Sequence, residues 1–305
     1  MKASTLERVS FASVALTGAE VLADPALPIQ DRWRRRLAAV PALRTQRYLA
    51  EQAVTDKHAA NEHVVAMALA AVRPDGLGQV YSLATVPAQR QQGMATALLG
   101  RLEARLAEAG CPAVQALYRT DLRSLVAVET VLAKRGWDPP RPAQYLFRGT
   151  AAVLDTPAFQ GLALPDGCTL FDWVALTEAE RRALTRRIGH TIPAALSPFQ
   201  QPNRLDAACS VGARYQGEVV GWMLLHQVGE DGVRQYTTLW VRRDFVRTPL
   251  ALALLRTAIE RHAHQSPDGR GLFSVQADNR SMVNLARRRL GLTPTVTLRI
   301  AGKRC

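Results

Sequence analysis

Two stretches of this chain share a frame, and one position within it sets them apart. "YSLATVPAQRQQGMATALL" (81–99) and "YTTLWVRRDFVRTPLALALL" (236–255) align without a gap from Leu83 and Leu239 onward, at an offset of 156 residues. The first has Gly93 where an apolar helical stripe begins, and the second has Pro249 there. A repeat of about half the chain length constrains the fold more than composition does, because each half must build the same unit.

The repeat extends in both directions. "HVVAMALAAV" leads into the turn "RPDGLG", and "EVVGWMLLHQV" leads into "GEDG", each reading as a strand entering a hairpin. Met94, Leu98, Leu102 and Leu106 then recur every four residues, with Gly110 and Pro112 as the stop. Leu250, Leu254 and Ala258 take the same face in the second half. Apolar strands follow at "AVQALY" (113–118) and "LFSVQA" (272–277), then helical patterns closing on Gly136-Trp137 and Gly291-Leu292. Each half therefore reads as strands, helix, strand, helix, strand. Glycine, proline and small residues cluster over 149–170, the expected linker, which sets the expected domains at 1–150 and 166–305.

The glycine has a chemical meaning. A polar loop with glycine at the first turn of a helix offers free backbone N–H groups and the positive end of the helix dipole, so a phosphate can approach closely. Arg90 adds a charged donor, and the amides of Gln91 and Gln92 do not repel a pyrophosphate. Pro249 has no N–H and puts a ring where a phosphate oxygen would sit, yet it suits the start of a helix. Val246 stands in place of Arg90. The second half is thus expected to keep the fold and lose the anion site. Trp240, aligned with Ala84, either fills the vacated gap or serves as an ordinary core residue.

Other features bound the reading. At 305 residues the chain can bury two cores. It has no run of about 20 apolar residues, and Glu7 and Arg8 interrupt any signal-like segment. A cytoplasmic protein with no membrane partner is expected. Cys111, Cys168, Cys209 and Cys305 lack paired spacing, so neither a metal site nor a disulfide framework is expected, only reduced and mostly buried thiols. The net charge of +13 favours anionic partners. Nearly all of it is arginine, with lysine only at Lys2, Lys57, Lys134 and Lys303, and nucleic acid is not the expected partner. His262 and His264 stand on different faces of a helix, where a solvated helix end is expected. Arg287, Arg288 and Arg289 read as the exposed side of the last helix.

Thr85, Pro87, Arg90, Gly93 and Ala95, set between a strand and a helix and followed by a strand and a helix ending in Gly-Trp, resemble the GNAT superfamily of acyl-CoA-dependent N-acyltransferases. The resemblance implies an α/β fold of two tandem GNAT-like domains, each a mixed, mostly antiparallel central sheet flanked by helices. It also implies acetyl-CoA or another acyl-CoA as cofactor. The backbone of Leu83, Ala84 and Thr85 would lie along the pantetheine arm, and Arg90, Gln91, Gln92, Gly93, Met94, Ala95 and Thr96 would hold the pyrophosphate. The implied reaction moves an acetyl or longer acyl group to a primary amine of a small-molecule or peptide acceptor. The degenerate second domain would shape the acceptor site or the domain interface, and "DRWRRRL" (31–37) would border the acceptor cleft, where it either holds an acidic acceptor or, as its ordinary reading, forms a solvated basic face.

The chain departs from the family at the general acid. Many members have a tyrosine four residues before the closing glycine, where this sequence has Leu132 and Arg287. Tyr118 and Ser124 are the substitute candidates, and Glu62, His63 or Asp121 could take the amine's proton. Two alternatives stay open: a non-catalytic CoA-sensing or partner-binding protein, and an acyltransferase acting on a nucleic-acid-associated or ribosomal acceptor.

Overall fold

The computed structural model describes residues 9–39, 47–55, 63–228, 232–267 and 269–305. The chain forms two compact units, Met1–Ala143 with Leu298–Cys305, and Gln144–Thr297.

In the first unit β1 (Val9–Thr17), β2 (Arg47–Thr55), β3 (His63–Val72) and β4 (Gly78–Thr85) form an antiparallel meander, and β5 (Ala113–Arg119) lies parallel to β4. Helices α1 (Gly18–Ala23) and α2 (Asp31–Ala39) stand between β1 and β2, α3 (Met94–Glu108) crosses from β4 to β5, and α4 (Leu125–Lys134) follows. The four-residue stripe of α3 reaches the core: Met94, Leu98, Leu102 and Leu106 are buried with Leu132 and Trp137. A second cluster collects Trp33, Leu37, Tyr48, Met67 and Leu69. β3 contributes to both, which explains why it reads as a continuous apolar run rather than an alternating one.

In the second unit the strand order is β7 (Cys168–Asp172), β8 (Val211–Tyr215), β9 (Glu218–Gln227), β10 (Arg234–Val241), β11 (Gly271–Gln276) and β6 (Arg141–Gly149). Helices α5 (Glu178–Arg187), α6 (Leu250–Gln265) and α7 (Arg280–Asn284) complete it. The face of α6 read from the sequence is buried at Leu250, Leu254 and Ala258.

The closing strands are exchanged in sequence. β6 follows the first repeat, yet it pairs antiparallel with β11 from Gln144–Gln276 to Gly149–Gly271. The last strand, β12 (Pro294–Arg304), pairs with β5 from Leu298–Arg119 to Arg304–Ala113 and closes the first sheet. The expected spans 1–150 and 166–305 assign each closing strand to the half that precedes it, and the compact units assign it to the other. The segment expected as a linker is also packed: Ala158 and Phe159 are buried in the second core, with Leu154, Leu162 and Leu164 against them. Its small residues suggested a loop, while its spaced apolar residues cover a sheet.

Candidate active site

The site is prepared by the way β4 leaves β5. The two strands pair at Gly78–Val114, Gln79–Gln115 and Val80–Ala116, and no further. Buried Gln79 fastens this junction, its Nε2 donating to the carbonyls of Val80 (3.1 Å) and Gln115 (3.3 Å). Tyr81 is a bulge, skipped in the register with β3, and a bulge adds local twist. Beyond it Leu83, Ala84 and Thr85 stay paired with Ala68, Met67 and Ala66 on one side, while the edge toward β5 is open.

The loop after β4 turns sharply. The Val86 N–H donates to the Val65 carbonyl (2.8 Å), Pro87–Gln89 make a 3-10 turn, and Arg90 folds back so that its Nε donates to the Thr85 carbonyl (3.1 Å). Gln91 and Gly93 then adopt left-handed backbone, at φ 64° and 79°. A side chain at φ near +60° costs about 1–2 kcal/mol, so Gln91 carries strain and Gly93 avoids it. A Cβ at Gly93 would meet nothing within 4 Å, so the approach to the loop is clear. The N–H groups of Gln91, Gln92, Gly93, Met94, Ala95 and Thr96 have no acceptor among the described residues, and no side chain caps α3. Six outward donors, a helix N-terminus and Arg90 suit the pyrophosphate of an acyl-CoA by charge and by donor count.

The second unit repeats the preparation and not the loop. β10 and β11 pair only at Arg234–Gly271 and Gln235–Leu272, and Thr237 is the bulge, at the same offset from Tyr81 as the rest of the frame. Val246, however, is right-handed at φ −61° and Pro249 lies at φ −71°. The Thr248 hydroxyl accepts from the Leu250 N–H (3.3 Å), which removes one more free donor. Trp240 is a core residue, stacked on Trp222 at a centroid distance of 4.4 Å, with the Arg187 guanidinium 5.8 Å from its ring.

The candidate acids and bases separate in the structure. Tyr118 is buried, and its hydroxyl donates to Glu129 Oε1 (3.2 Å), which also accepts from Arg299 (2.8 Å). Burial, and then the charge of Glu129, push the phenol pKa well above its usual 10. Ser124 is exposed and does not cap its own helix, α4. Asp121 is exposed and holds Arg119 (Nε–Oδ1 2.8 Å). His63 is exposed and opens β3 three residues before Ala66, the partner of Thr85. Glu62 lies outside the described residues.

Several positioning groups escaped the sequence reading. Glu51 on β2 is fully buried and accepts from Ser13 (2.7 Å), Arg101 (2.8 Å) and Arg105 (3.0 Å), tying α3 to the sheet. Glu103, also on α3, accepts from Arg135 (2.9 Å), Trp137 Nε1 (2.8 Å) and Lys303 Nζ (2.8 Å). Burial alone would raise both carboxyls, but these hydrogen bonds outweigh it and hold them below the usual range. Trp33 stacks on Tyr81 at 4.4 Å and meets Tyr48 edge-on at 6.1 Å, beside the bulge of β4. Arg34, in the basic run expected as a cleft border, donates to the carbonyls of Val21, Asp24 and Leu27 and pins the preceding turn. His262 is not part of a solvated helix end: it is buried and bonded to Tyr236 and Gly232, whereas His264 is exposed.

A sheet in which a bulged strand parts from its parallel neighbour before a crossing helix is present twice, and the glycine loop that opens the helix is present in the first copy. The family model for the acetyltransferase (GNAT) family matches residues 25–130 and 173–292, and the chain belongs to this family. No curated protein matches the sequence. A solved GCN5-related N-acetyltransferase from Sphaerobacter thermophilus is similar, at 21% identity and TM-score 0.59, with 96% of this chain and 95% of that chain covered. A tandem GNAT protein from the clavulanic acid biosynthesis pathway superposes with TM-score 0.60 at 16% identity, over 97% of this chain and 98% of that chain. A GNAT-family acetyltransferase from Colwellia psychrerythraea gives TM-score 0.51 at 12% identity, over 97% of this chain and all of that chain (100%). These likenesses establish the fold, two GNAT units in tandem. Among the described residues no helix is long and apolar enough to cross a membrane.

Proposed function

We propose that the chain is an acyl-CoA-dependent N-acyltransferase that carries its cofactor in the first unit and moves an acetyl or longer acyl group to a primary amine. The observation that carries this reading is the contrast between the loops: free donors from Gln91 to Thr96 around a left-handed Gly93 in one unit, and Pro249 with a Thr248 cap in the other. When bound, the thioester supplies the acyl group, its C–S bond breaking as the C–N bond forms.

The chain's residues would hold and orient. Backbone along Leu83–Thr85 lines the open edge, the loop N–H groups and Arg90 take the phosphates, and Glu51 and Glu103 fix the helix that presents them. The amine must arrive neutral and lose a proton, which His63 could accept through water. Tyr118 is a poor acid for the leaving thiolate, because a phenol raised above 10 protonates a thiolate of ordinary pKa near 8.5 unfavourably. A thiolate of that pKa is a tolerable leaving group without prior protonation, and it takes up its proton from solvent once it has left.

Calorimetric titration with acetyl-CoA and CoA tests the assignment. Wild type should bind one equivalent per chain. Gly93→Asn should abolish or sharply weaken binding without unfolding the loop, since asparagine tolerates left-handed backbone. Arg90→Val, which copies the second repeat, should weaken it by about tenfold, the worth of one charge-assisted phosphate contact. Unchanged affinity in both variants would overturn the cofactor site. Thiol release with a panel of amines then reads turnover, and its absence with every amine would favour a CoA-sensing role.

A further inference from the structure

The second unit contains a cavity of about 310 Å³ in the gap where β10 and β11 part. Tyr236 and Leu239 of β10, Phe273 of β11, Leu255 and Ile259 of α6, and Leu285 beyond α7 give it a largely apolar lining. Although 21% of the chain is charged, no Asp, Glu, Lys or Arg lines this space among the described residues. Cavities of about 150 Å³ hold benzene, so this one accommodates roughly ten non-hydrogen atoms.

Its polar groups are neutral and directional. His262 Nε2 lies 3.2 Å from the Gly232 carbonyl, which can only accept, so Nε2 carries the hydrogen. Nδ1 is then the acceptor for the Tyr236 hydroxyl at 3.1 Å. Tyr236 spends its proton on the histidine and keeps an oxygen lone pair, which accepts from a ligand's hydroxyl or amide. The helix start that would draw a phosphate is closed by Pro249 and by the Thr248 cap.

We infer that the second unit binds an uncharged, mainly apolar molecule of about ten non-hydrogen atoms with one hydrogen-bond donor, in a site separate from the acyl-CoA loop. Loss of the phosphate loop did not close the gap between the strands; it left a pocket of different chemistry. A neighbouring recess shares Gly149, Thr150 and Gly271 with the cavity and is flanked by Arg148 and Arg270. Among the described residues that line the two spaces, only these arginines could meet a carboxylate, which makes the charged analogue the decisive control.

The probe is 1-octanol, titrated by calorimetry into the full chain beside octanoate and CoA. Octanol should saturate at one equivalent, and octanoate should bind about tenfold more weakly or worse, because a buried unpaired carboxylate is strongly disfavoured. Ala263→Phe and Ile259→Trp, both on the α6 face that lines the cavity, should each abolish octanol binding while circular dichroism stays native. Gly93→Asn should leave it unchanged, which separates this site from the cofactor site. No saturation up to the solubility limit, octanoate binding as tightly as octanol, or intact binding in both folded ring-filled variants would overturn the inference.

Discussion

At the scale of single residues, the decisive positions are those whose backbone or burial narrows the choice of residue most. Gly93 is one, because the loop needs φ 79° there and clear space in front of it. Glu103 is another. It is the common acceptor for Arg135, Trp137 and Lys303, and Glu103→Gln would leave two cations short of their counter-charge. Breaking a fully buried pair costs 3–5 kcal/mol, and the partial exposure of Arg135 and Lys303 lowers the expectation to about 2 kcal/mol. A urea melt of the variant should show the midpoint drop with the slope preserved. Tyr118 is placed to pack and to hold Glu129. Tyr118→Phe should therefore keep kcat within about threefold of wild type, whereas loss of a true general acid costs about a hundredfold or more.

At the scale of elements, the exchanged strands matter most. β12 pairs with β5 and brings Arg299 to Glu129 and Lys303 to Glu103. Deleting Leu298–Cys305 would expose the backbone of Ala113–Arg119 and take one cation from each of two carboxylates, Glu103 on α3 and Glu129 on α4. The truncated chain should lose cooperative melting of the first unit and become sensitive to limited proteolysis within residues 63–134. Native-like protease resistance there would show that β12 is dispensable. The two helix starts make the complementary point. α3 and α6 bury the same stripe, but one begins after left-handed glycine and the other at proline, so the same packing supports two different ends.

At the scale of the whole molecule, the two units should respond differently to acid. His226 and His262, both in the second unit, are buried, and burial pulls their pKa below the ordinary 6.5. The folded unit keeps them neutral while an unfolded chain would protonate them first. Their contribution is therefore complete above pH 6.5 and is lost as pH falls through the lower folded values. Differential scanning calorimetry between pH 7.5 and 5 should show the second unit's transition falling faster than the first's. Replacing both histidines with asparagine should flatten that difference, and a steeper fall in the first unit would contradict it.

Much of this architecture was written in local sequence. The 156-residue frame, the stripes of α3 and α6, the strands before them and the glycine loop all follow from periodicity and from the conformational limits of glycine and proline, which act within a few residues. The family resemblance rested on those same positions. What lay beyond sequence depends on contacts between distant segments. Glu51 and Glu103 carry no local signal, and their role appears only where Arg101, Arg105, Arg135 and Lys303 converge on them. His262 read as solvated until Tyr236 and Gly232 enclosed it. Phe159 read as linker until it met the second core. The sequence by itself determined that the chain makes one unit twice and that the helix start carries glycine in the first copy and proline in the second, because steric rules on φ and on free N–H groups are local. Only the tertiary structure decided which strand closes which sheet and that the second gap stays hollow, because strand pairing and cavity volume are settled by residues more than a hundred positions apart.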